Sequence, residues 1–256
     1  MSVQHGVATL LLLGVTGCAP SSPPDEPAHA GRHQSPPASH HHADGPAGHH
    51  GEHRSPGHRG GHGPLGHRFE SADQWAGHFD DPARDQWQRP EEVVRLLALR
   101  PGMAVADVGA GTGYFLPHLA SAVESAGTVI GIDIEPDMVR HMTERAKRES
   151  LLNVQARLAT TSNPGLPSAS VDRILIVNTW HHIPERGAYA GRLRQALRPA
   201  GFVAVVDFTV DSKRGPPRAH RLPSAKVAEE LGAGGLVAEV VAESLPDQYV
   251  VLGRRP

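Results

Sequence analysis

The sequence contains a single cysteine, Cys18, among 256 residues. A disulfide within the chain needs two cysteines, and a zinc site built on thiolates needs more than one, so both are excluded. The 25 lysines and arginines nearly balance the 27 aspartates and glutamates, and aromatic residues make up only 4%. Because no basic stripe interleaved with aromatic residues is present, the composition argues against a nucleic-acid surface. No repeat of fixed period indicates a solenoid or a propeller.

The apolar segment before the cysteine, Val7 to Val15, is too short to cross a bilayer, which takes roughly 20 residues, but it suits the core of a signal peptide. The order Val15, Thr16, Gly17, Cys18 resembles the lipobox of bacterial lipoproteins, in which the cysteine is acylated. This resemblance implies a signal peptide over residues 1–17, a lipid anchor at Cys18 and a location in the bacterial cell envelope. The first six residues contain no lysine or arginine, so a fortuitous apolar terminus, with a cytoplasmic location, stays open.

Residues 18–67 consist mainly of proline, glycine, serine, alanine and histidine, and they include eleven of the eighteen histidines. A segment with so few aliphatic residues cannot bury enough apolar surface to offset the entropy of ordering, so we predict a disordered linker. Imidazole binds zinc, copper and nickel, and loose metal binding by this linker is one interpretation. A plain spacer is the other, and no catalytic metal is implied.

Residues 68–256 alternate apolar segments with turn signals over a length typical of one domain. The pattern predicts helices at 71–79, 90–99, 114–125, 136–149, 188–197 and 224–231. It predicts strands at 103–108, 128–133, 153–159, 171–178, 201–208, 236–243 and 249–254. The near-continuous apolar run at 171–178 is typical of a central parallel strand that is covered on both faces. Only five residues separate the last two strands, so they should form an antiparallel hairpin.

A glycine-rich loop, VADVGAGTGYF at residues 105–115, lies at a predicted strand-to-helix junction. Gly109, Gly111 and Gly113 permit a sharp turn and a close approach to a ligand. Asp133 stands twenty residues after the third glycine, at the end of the next strand, where a carboxylate can accept hydrogen bonds from both hydroxyls of a ribose. The pattern therefore indicates a cofactor that contains a nucleoside.

Two cofactors fit this pattern, a nicotinamide dinucleotide and S-adenosylmethionine. The dinucleotide fingerprint spaces its glycines G-x-G-x-x-G, whereas the third glycine here comes one residue earlier. Asp107 precedes the loop, and its negative charge would oppose a diphosphate but suit a cationic amino or sulfonium group. Both differences favour S-adenosylmethionine.

The segments VADVGAGTG, GIDIEPDMV, VDRILIVNTWHHI and LRPAGFVAVVDF, taken in order, resemble motifs of class I S-adenosylmethionine-dependent methyltransferases. The resemblance is closest to the small-molecule branch that includes ubiquinone-biosynthesis and arsenite methyltransferases. It covers about residues 88–208 strongly. It implies an α/β, Rossmann-like, doubly wound sheet of seven strands in the order 3-2-1-4-5-7-6, with strand 7 antiparallel and helices on both faces.

The resemblance also implies roles for single residues. The glycine loop, including Ala110, and Asp107 would surround the methionine portion of the cofactor, Asp133 the ribose and Ile134 the adenine. Many members place an acidic residue after strand 3 to bind the adenine amino group. This chain offers Thr160, Thr161 or Ser162 there instead, and we take Thr161 as the candidate.

The segment after strand 4, from Asn178 to His182, would lie beside the transferable methyl group, with Asn178 as a cofactor contact. Methyl transfer aligns a nucleophile with the sulfonium and, for a protonated acceptor, requires removal of a proton. His181 or His182 is a candidate general base. A purely structural histidine pair that packs or binds the loop backbone is the alternative.

Two further sets of residues have both a functional and a structural interpretation. Trp87, Gln88 and Arg89 would lie over the cofactor mouth in this family, or else form a capped helix entry with Trp87 as a core anchor. Asp207, at the end of strand 5, would face the acceptor or cap the following loop.

Three hypotheses follow. The first is a methyltransferase for a small-molecule acceptor. The second is a non-catalytic, membrane-tethered module that keeps an S-adenosylmethionine pocket or only its fold, since a fold does not fix a function. The third is an NAD-dependent oxidoreductase. The lipobox resemblance favours the second, because S-adenosylmethionine is made and used in the cytoplasm.

Overall fold

The computed structural model describes residues 71–256. The predicted signal peptide, the anchor at Cys18 and the histidine-rich linker all lie outside these residues. Within residues 71–256, no helix combines the length and the apolarity needed to cross a membrane.

Seven strands and seven α-helices make up the described part of the chain, together with three short 3-10 turns. The strands are β1 (Ala104–Val108), β2 (Thr128–Asp133), β3 (Val154–Leu158), β4 (Val171–Val177), β5 (Leu197–Phe208), β6 (Val237–Val241) and β7 (Gln248–Arg254). The helices are α1 (Ala72–Phe79), α2 (Asp85–Gln88), α3 (Pro90–Leu96), α4 (Leu116–Val123), α5 (Pro136–Arg148), α6 (Arg186–Ala196) and α7 (Ser224–Ala233). The 3-10 turns are Pro82–Arg84, Trp180–His182 and Arg218–His220.

The strands form one sheet in the order β3-β2-β1-β4-β5-β7-β6. Strands β1 to β5 pair in parallel, and β7 runs antiparallel to both β5 and β6. The predicted strand order and the predicted C-terminal hairpin are therefore confirmed. The hairpin follows from chain length, since the short connection after β6 leaves no room for a crossover.

The central strands are mostly apolar because both faces of the sheet are covered. In β1, Ala104 and Ala106 pack with α6 and α7 on one face, whereas Val105 packs with α3 and α4 on the other. Strand β4 alternates in the same way, with Ile174 on the first face and Leu175 on the second. Side chains of successive strand residues point to opposite faces, so such a strand needs no polar position.

Some boundaries differ from the sequence prediction. Strand β5 begins at Leu197 rather than at 201, because Leu197 already pairs with Val171 of β4. The turns at 82–84 and 180–182 and the four-residue helix α2 are short elements that carry too few residues for a periodic signal. Pro117 is accommodated in the first turn of α4, as expected from its missing N–H group.

The direction in which successive strands are added to the sheet reverses between the neighbouring strands β1 and β4. Strand β1 is followed by β2 and β3 on one side, and β4 by β5 on the other. The loops at the carboxyl ends of these strands therefore diverge and leave a crevice, which is where open α/β sheets bind ligands.

Candidate functional site

A cavity of about 810 Å³ opens along the carboxyl ends of β1, β2 and β4. Ligand pockets usually measure roughly 300–1,000 Å³, so this one has room for a cofactor and a second molecule. Its wall includes the glycine loop, the residues that follow β2 and β4, the helix α1 and the loop that follows β5. The lining residues named in the sequence analysis are Trp87, Gly109, Ala110, Gly111, Asp133, Ile134, Thr160, Thr161, Asn178, His181 and His182.

The glycine loop turns sharply over the end of β1 through three left-handed positions, Gly109, Gly111 and Gly113. Gly109 has φ +74°, and a Cβ there would lie 2.8 Å from the Cβ of Thr179 and closer still to its Oγ1 and Cγ2. Gly111 has φ +57° and meets only the ring of Phe79, at 3.5 Å. Gly113 does not line the cavity, because it lies beneath the loop against Leu116. Gly113 therefore packs beneath the loop, and its contact with the cofactor stays a prediction.

Asp133 joins the glycine loop to the start of α5. Its Oδ2 accepts a hydrogen bond from the Gly111 N–H at 2.9 Å, and its Oδ1 accepts one from the Glu135 N–H at 3.0 Å. Burial raises the pKa of Asp133 above its usual range, and these backbone donors partly oppose the rise. Beside it, Ile134 is 47% exposed within the cavity, an apolar surface that nothing in the described chain covers.

Asp107 is buried at the end of β1 and is not part of the cavity wall. Burial raises its pKa to about 7, while the nearby Arg84 guanidinium lowers it and the Asp133 carboxylate raises it further. Asp107 therefore lies behind the cavity wall, and its contact with the cofactor stays a prediction.

Arg84 lines the cavity, although no sequence motif pointed to it as a site residue. Its guanidinium lies 3.9 Å over the Tyr114 ring, and Nη1 donates to the Phe79 carbonyl at 2.7 Å. Among the residues that the structure describes, its Nε is one of three buried side-chain nitrogens without a hydrogen-bond acceptor. Because the residue lines the cavity and carries a positive charge, Arg84 is a candidate contact for an anionic group.

Three amide side chains form a closed ring of hydrogen bonds behind the cavity. Gln88 Nε2 donates to Gln248 Oε1, and Gln248 Nε2 donates to Asn178 Oδ1, both at 2.7 Å. Asn178 Nδ2 closes the ring by donating to Gln88 Oε1 at 3.4 Å. Gln88 and Gln248 are almost completely buried. The ring fixes Asn178, whose φ is +53°, to α2 and to β7. Gln88 therefore holds the wall in place rather than touching the cavity.

His181 and Asp207 form a buried pair at the ends of β4 and β5. The Nδ1 atom of His181 lies 2.9 and 3.0 Å from the two carboxylate oxygens of Asp207. Only 3% of the His181 side chain and 4% of the Asp207 side chain are exposed. Because a carboxylate can only accept, Nδ1 donates to Asp207, and in the neutral ring the second nitrogen, Nε2, is then the acceptor. The His182 ring lies 4.2 Å from the His181 ring and also lines the cavity.

The remaining candidates divide between the cavity and the surface. Trp87 lines the cavity, whereas Arg89 points away and donates to the Ser244 carbonyl and hydroxyl. Thr161 is exposed on the cavity rim after β3, and Ser162 lies outside it. The prediction of a contact through Arg89 is therefore wrong, because its left-handed backbone, with φ +46°, directs it to the far side of α3.

No group of three histidine, cysteine, aspartate or glutamate residues between 71 and 256 is arranged to hold a metal ion. The histidine-rich linker lies outside this range, so the interpretation of it as a loose metal binder stays a prediction.

Comparison with known proteins identifies the domain. Residues 105–201 match the family described as "Methyltransferase domain". Nocamycin O-methyltransferase of Saccharothrix syringae is 29% identical over 186 residues, which is 72% of this chain and 64% of the relative. A 2-methyl-6-phytyl-1,4-hydroquinone methyltransferase of Synechocystis is 30% identical over 55% of this chain and 46% of the relative. The chain thus spans about half to two thirds of the length of these curated relatives.

A solved structure supports the same assignment. A methyltransferase from Aquifex aeolicus that is described as SAM-dependent superposes with a TM-score of 0.68 and is 27% identical in sequence. The match covers 73% of this chain and 99% of that structure. Residues 105–201 are therefore similar to methyltransferase domains, and the cofactor that these comparisons indicate is S-adenosyl-L-methionine.

Proposed function

We propose that this chain transfers a methyl group from S-adenosylmethionine to an oxygen of a small-molecule acceptor, with His181 as the general base. The observation that carries this proposal is the buried His181–Asp207 pair, of which His181 lines the cavity. A binding module has no need of a histidine whose tautomer is fixed by a buried carboxylate. A base of this kind contributes about 10²- to 10⁴-fold to the rate of a proton transfer.

The cavity fits the cofactor on the evidence of its own residues. Gly109 and Gly111 line the cavity, and Gly109 packs so closely on Thr179 that no side chain could stand there. Each oxygen of Asp133 already accepts one backbone hydrogen bond and can accept a second, so the ribose hydroxyls can donate to it. Ile134 offers an apolar face for the adenine. Arg84 brings a positive charge to the cavity wall, which suits the carboxylate of the methionine portion.

The bound cofactor supplies a methyl group on a positively charged sulfur. The chain then has two tasks, which are to align the acceptor with that methyl group and to remove the acceptor's proton. Nε2 of His181 takes the proton, and the Asp207 carboxylate stabilises the resulting imidazolium through Nδ1–H. His182 is the second candidate for the base, since it shares the cavity wall.

An oxygen acceptor agrees with both the site and the relatives. A hydroxyl group carries a proton that a histidine can remove, whereas an unprotonated sulfur or nitrogen acceptor needs no base. One relative is, by its name, an O-methyltransferase, and another is named for a hydroquinone. These names describe those proteins, and they support an oxygen acceptor for this one.

A second candidate function rests on the lipobox-like order at Cys18. We also propose that the chain is a membrane-anchored lipoprotein of the cell envelope, in which case it is a binding module unless S-adenosylmethionine reaches it there. Two acyl chains, at about 0.8 kcal/mol per buried methylene, would anchor it stably. Mass spectrometry of the protein from its own cells tests this, because an anchored form begins at an acylated Cys18 and an unanchored form retains residues 1–17.

The function itself is tested in two steps. Calorimetric titration with S-adenosylmethionine, S-adenosylhomocysteine and NAD should show binding of the two adenosyl ligands only, and binding of NAD alone would overturn the assignment. The protein is then incubated with S-adenosylmethionine labelled in its methyl group and with extracts of its own cells. Appearance of label in a small molecule supports the enzyme, whereas intact cofactor binding without transfer supports the binding module.

A further inference from the structure

The far half of the cavity, over the ends of β4 and β5, is built by the loop between β5 and α7. The loop spans residues 209–223, and it contributes Lys213, Arg214, Gly215, Pro216, Pro217 and His220 to the wall. Because the cofactor residues lie at the ends of β1 and β2, this half is where an acceptor would lie. The inference below rests on the function proposed above.

This loop has a fixed shape. The Arg221 guanidinium donates hydrogen bonds to four of its backbone carbonyls, those of Val210, Ser212, Arg214 and Pro216. Gly215 has φ +83° and packs so closely on Phe208 that a Cβ would overlap the ring. A loop held by one guanidinium and by contact with the end of β5 presents its side chains in a defined arrangement.

The floor of this half is aromatic. The rings of Trp87 and Phe208 lie 5.8 Å apart with an interplanar angle of 31°, and Phe208 is 6% exposed. The Arg214 guanidinium lies 5.5 Å over the Trp87 ring. Together with Pro216 and Pro217, these groups form a largely apolar surface. A planar ring system gains most from such a surface, because aromatic rings favour offset stacking and edge contacts.

Charged side chains lie on three segments of the cavity wall, and the positive charge of Arg84 lies on the segment after α1. The three carboxylates of the wall are Asp133 and Glu135 after β2, and Asp81 on the segment after α1. The loop after β5 contributes only positive charge, from Lys213 and Arg214. Arg214 is neutralised by Asp247, with Nε and Oδ2 3.1 Å apart.

Lys213 is different from its neighbour. It is exposed, and it has no ion-pair or hydrogen-bond partner among residues 71–256. One unpaired ammonium group can balance one negative charge. A carboxylate carries one such charge, whereas a dianionic phosphate carries two.

We propose that the acceptor is a planar, aromatic hydroxy acid whose carboxylate binds Lys213 and whose ring lies on Trp87 and Phe208. Its hydroxyl then faces His181. In the transfer, the bond between the sulfur and the methyl carbon breaks with both electrons going to sulfur, a bond from the hydroxyl oxygen to that carbon forms, and the hydroxyl proton goes to Nε2 of His181.

Two probes test this proposal, 6-hydroxy-2-naphthoate and its methyl ester, in which one added methyl group removes the negative charge. The full chain is first saturated with S-adenosylhomocysteine, whose binding is recorded, and each probe is then titrated by calorimetry at low ionic strength. A charge-assisted contact should make the acid bind about tenfold more tightly than the ester. Equal affinity, tighter binding of the ester, or no saturable binding of the acid would overturn the proposal.

Matched variants assign the effect to Lys213. Lys213→Gln should reduce the preference for the acid to within about twofold, since the ammonium is removed. Lys147→Gln removes the same charge from an exposed position on α5, outside the cavity, and should keep the full preference. Trp87→Leu should weaken both probes alike and leave the preference unchanged.

A preference that survives Lys213→Gln, or that Lys147→Gln abolishes equally, would refute the assignment. Failure of this inference is distinguishable from failure of the proposed function. If S-adenosylhomocysteine binds and the acid is not preferred, only the acceptor class is wrong. If S-adenosylhomocysteine does not bind, the cofactor site itself is wrong.

Discussion

Gly109→Ala should be the most disruptive single-methyl substitution in the cofactor loop. The new Cβ would lie 2.8 Å from the Cβ of Thr179, whereas carbon atoms in contact are normally about 3.5–4.0 Å apart. Thr179 cannot simply rotate away, because its hydroxyl donates to the Val177 carbonyl at 3.0 Å and lies 3.3 Å from the Gly109 carbonyl. The end of β4 must therefore move.

The cost has two parts. A left-handed backbone at φ +74° costs an alanine roughly 1–2 kcal/mol. Forcing a methyl group into a packed site costs a further 1–3 kcal/mol or so. The sum is about 2–5 kcal/mol, which corresponds to a fall of roughly 5–15 °C in the melting temperature of a domain of this size.

Gly111→Ala is the matched control. Its backbone is also left-handed, but the new Cβ would meet only Phe79, at an ordinary distance of 3.5 Å. The Gly111→Ala variant should therefore bear only the cost of the left-handed backbone, which lowers its melting temperature by a few degrees. The double variant Gly109→Ala with Thr179→Ala removes the two nearest atoms and should recover part of the loss relative to Thr179→Ala alone.

Thermal unfolding and calorimetric titration with S-adenosylhomocysteine measure these effects without any knowledge of the acceptor. Gly109→Ala should also weaken binding, since the loop and the end of β4 shift together. Equal melting temperatures for the Gly109→Ala and Gly111→Ala variants, or no recovery in the double variant, would show that the contact with Thr179 does not govern the loop.

Three further substitutions test other parts of the site. Asp133→Ala should weaken S-adenosylhomocysteine by about tenfold or more while the domain stays folded, and unchanged affinity in titration would count against the ribose contact. Asp207→Asn should lower kcat by about 10²-fold or more and leave cofactor affinity unchanged, because the amide no longer fixes the His181 tautomer. An unaltered kcat would mean that the pair has only a structural role. Burial raises the pKa of Asp107 to about 7, so the folded chain binds this proton more tightly than the unfolded chain. The stability that it adds is complete below about pH 4 and is lost as the pH rises through about 7. Asp107→Asn should remove this decline, which is on the order of a few kcal/mol, and parallel urea-unfolding profiles of the two proteins between pH 4 and 8 would contradict it.

Local sequence determined most of the elements of this fold. The apolar runs of β1 and β4 identify central parallel strands because both faces of such strands are buried, whatever lies on them. The glycine loop and Asp133 are adjacent to strand ends, so their position at the sheet edge follows from the strands themselves. The short connection between β6 and β7 required a hairpin, and with it the antiparallel last strand.

The composition of the site was decided only by tertiary structure. Hydrophobic periodicity indicates which side of an element faces inward, but it does not indicate which polar side chains from distant elements will meet there. His181 and Asp207 are 26 positions apart, and the contact between Gln88 and Gln248 spans 160. The same limit explains why the sequence did not predict that Arg84 lines the cavity or that Arg89 lies outside it. The motifs therefore predicted the part of the cavity wall that follows β1 and β2, because these residues are close to strand ends. The part proposed for the acceptor depends on how β5, β7 and the loop after β5 pack together.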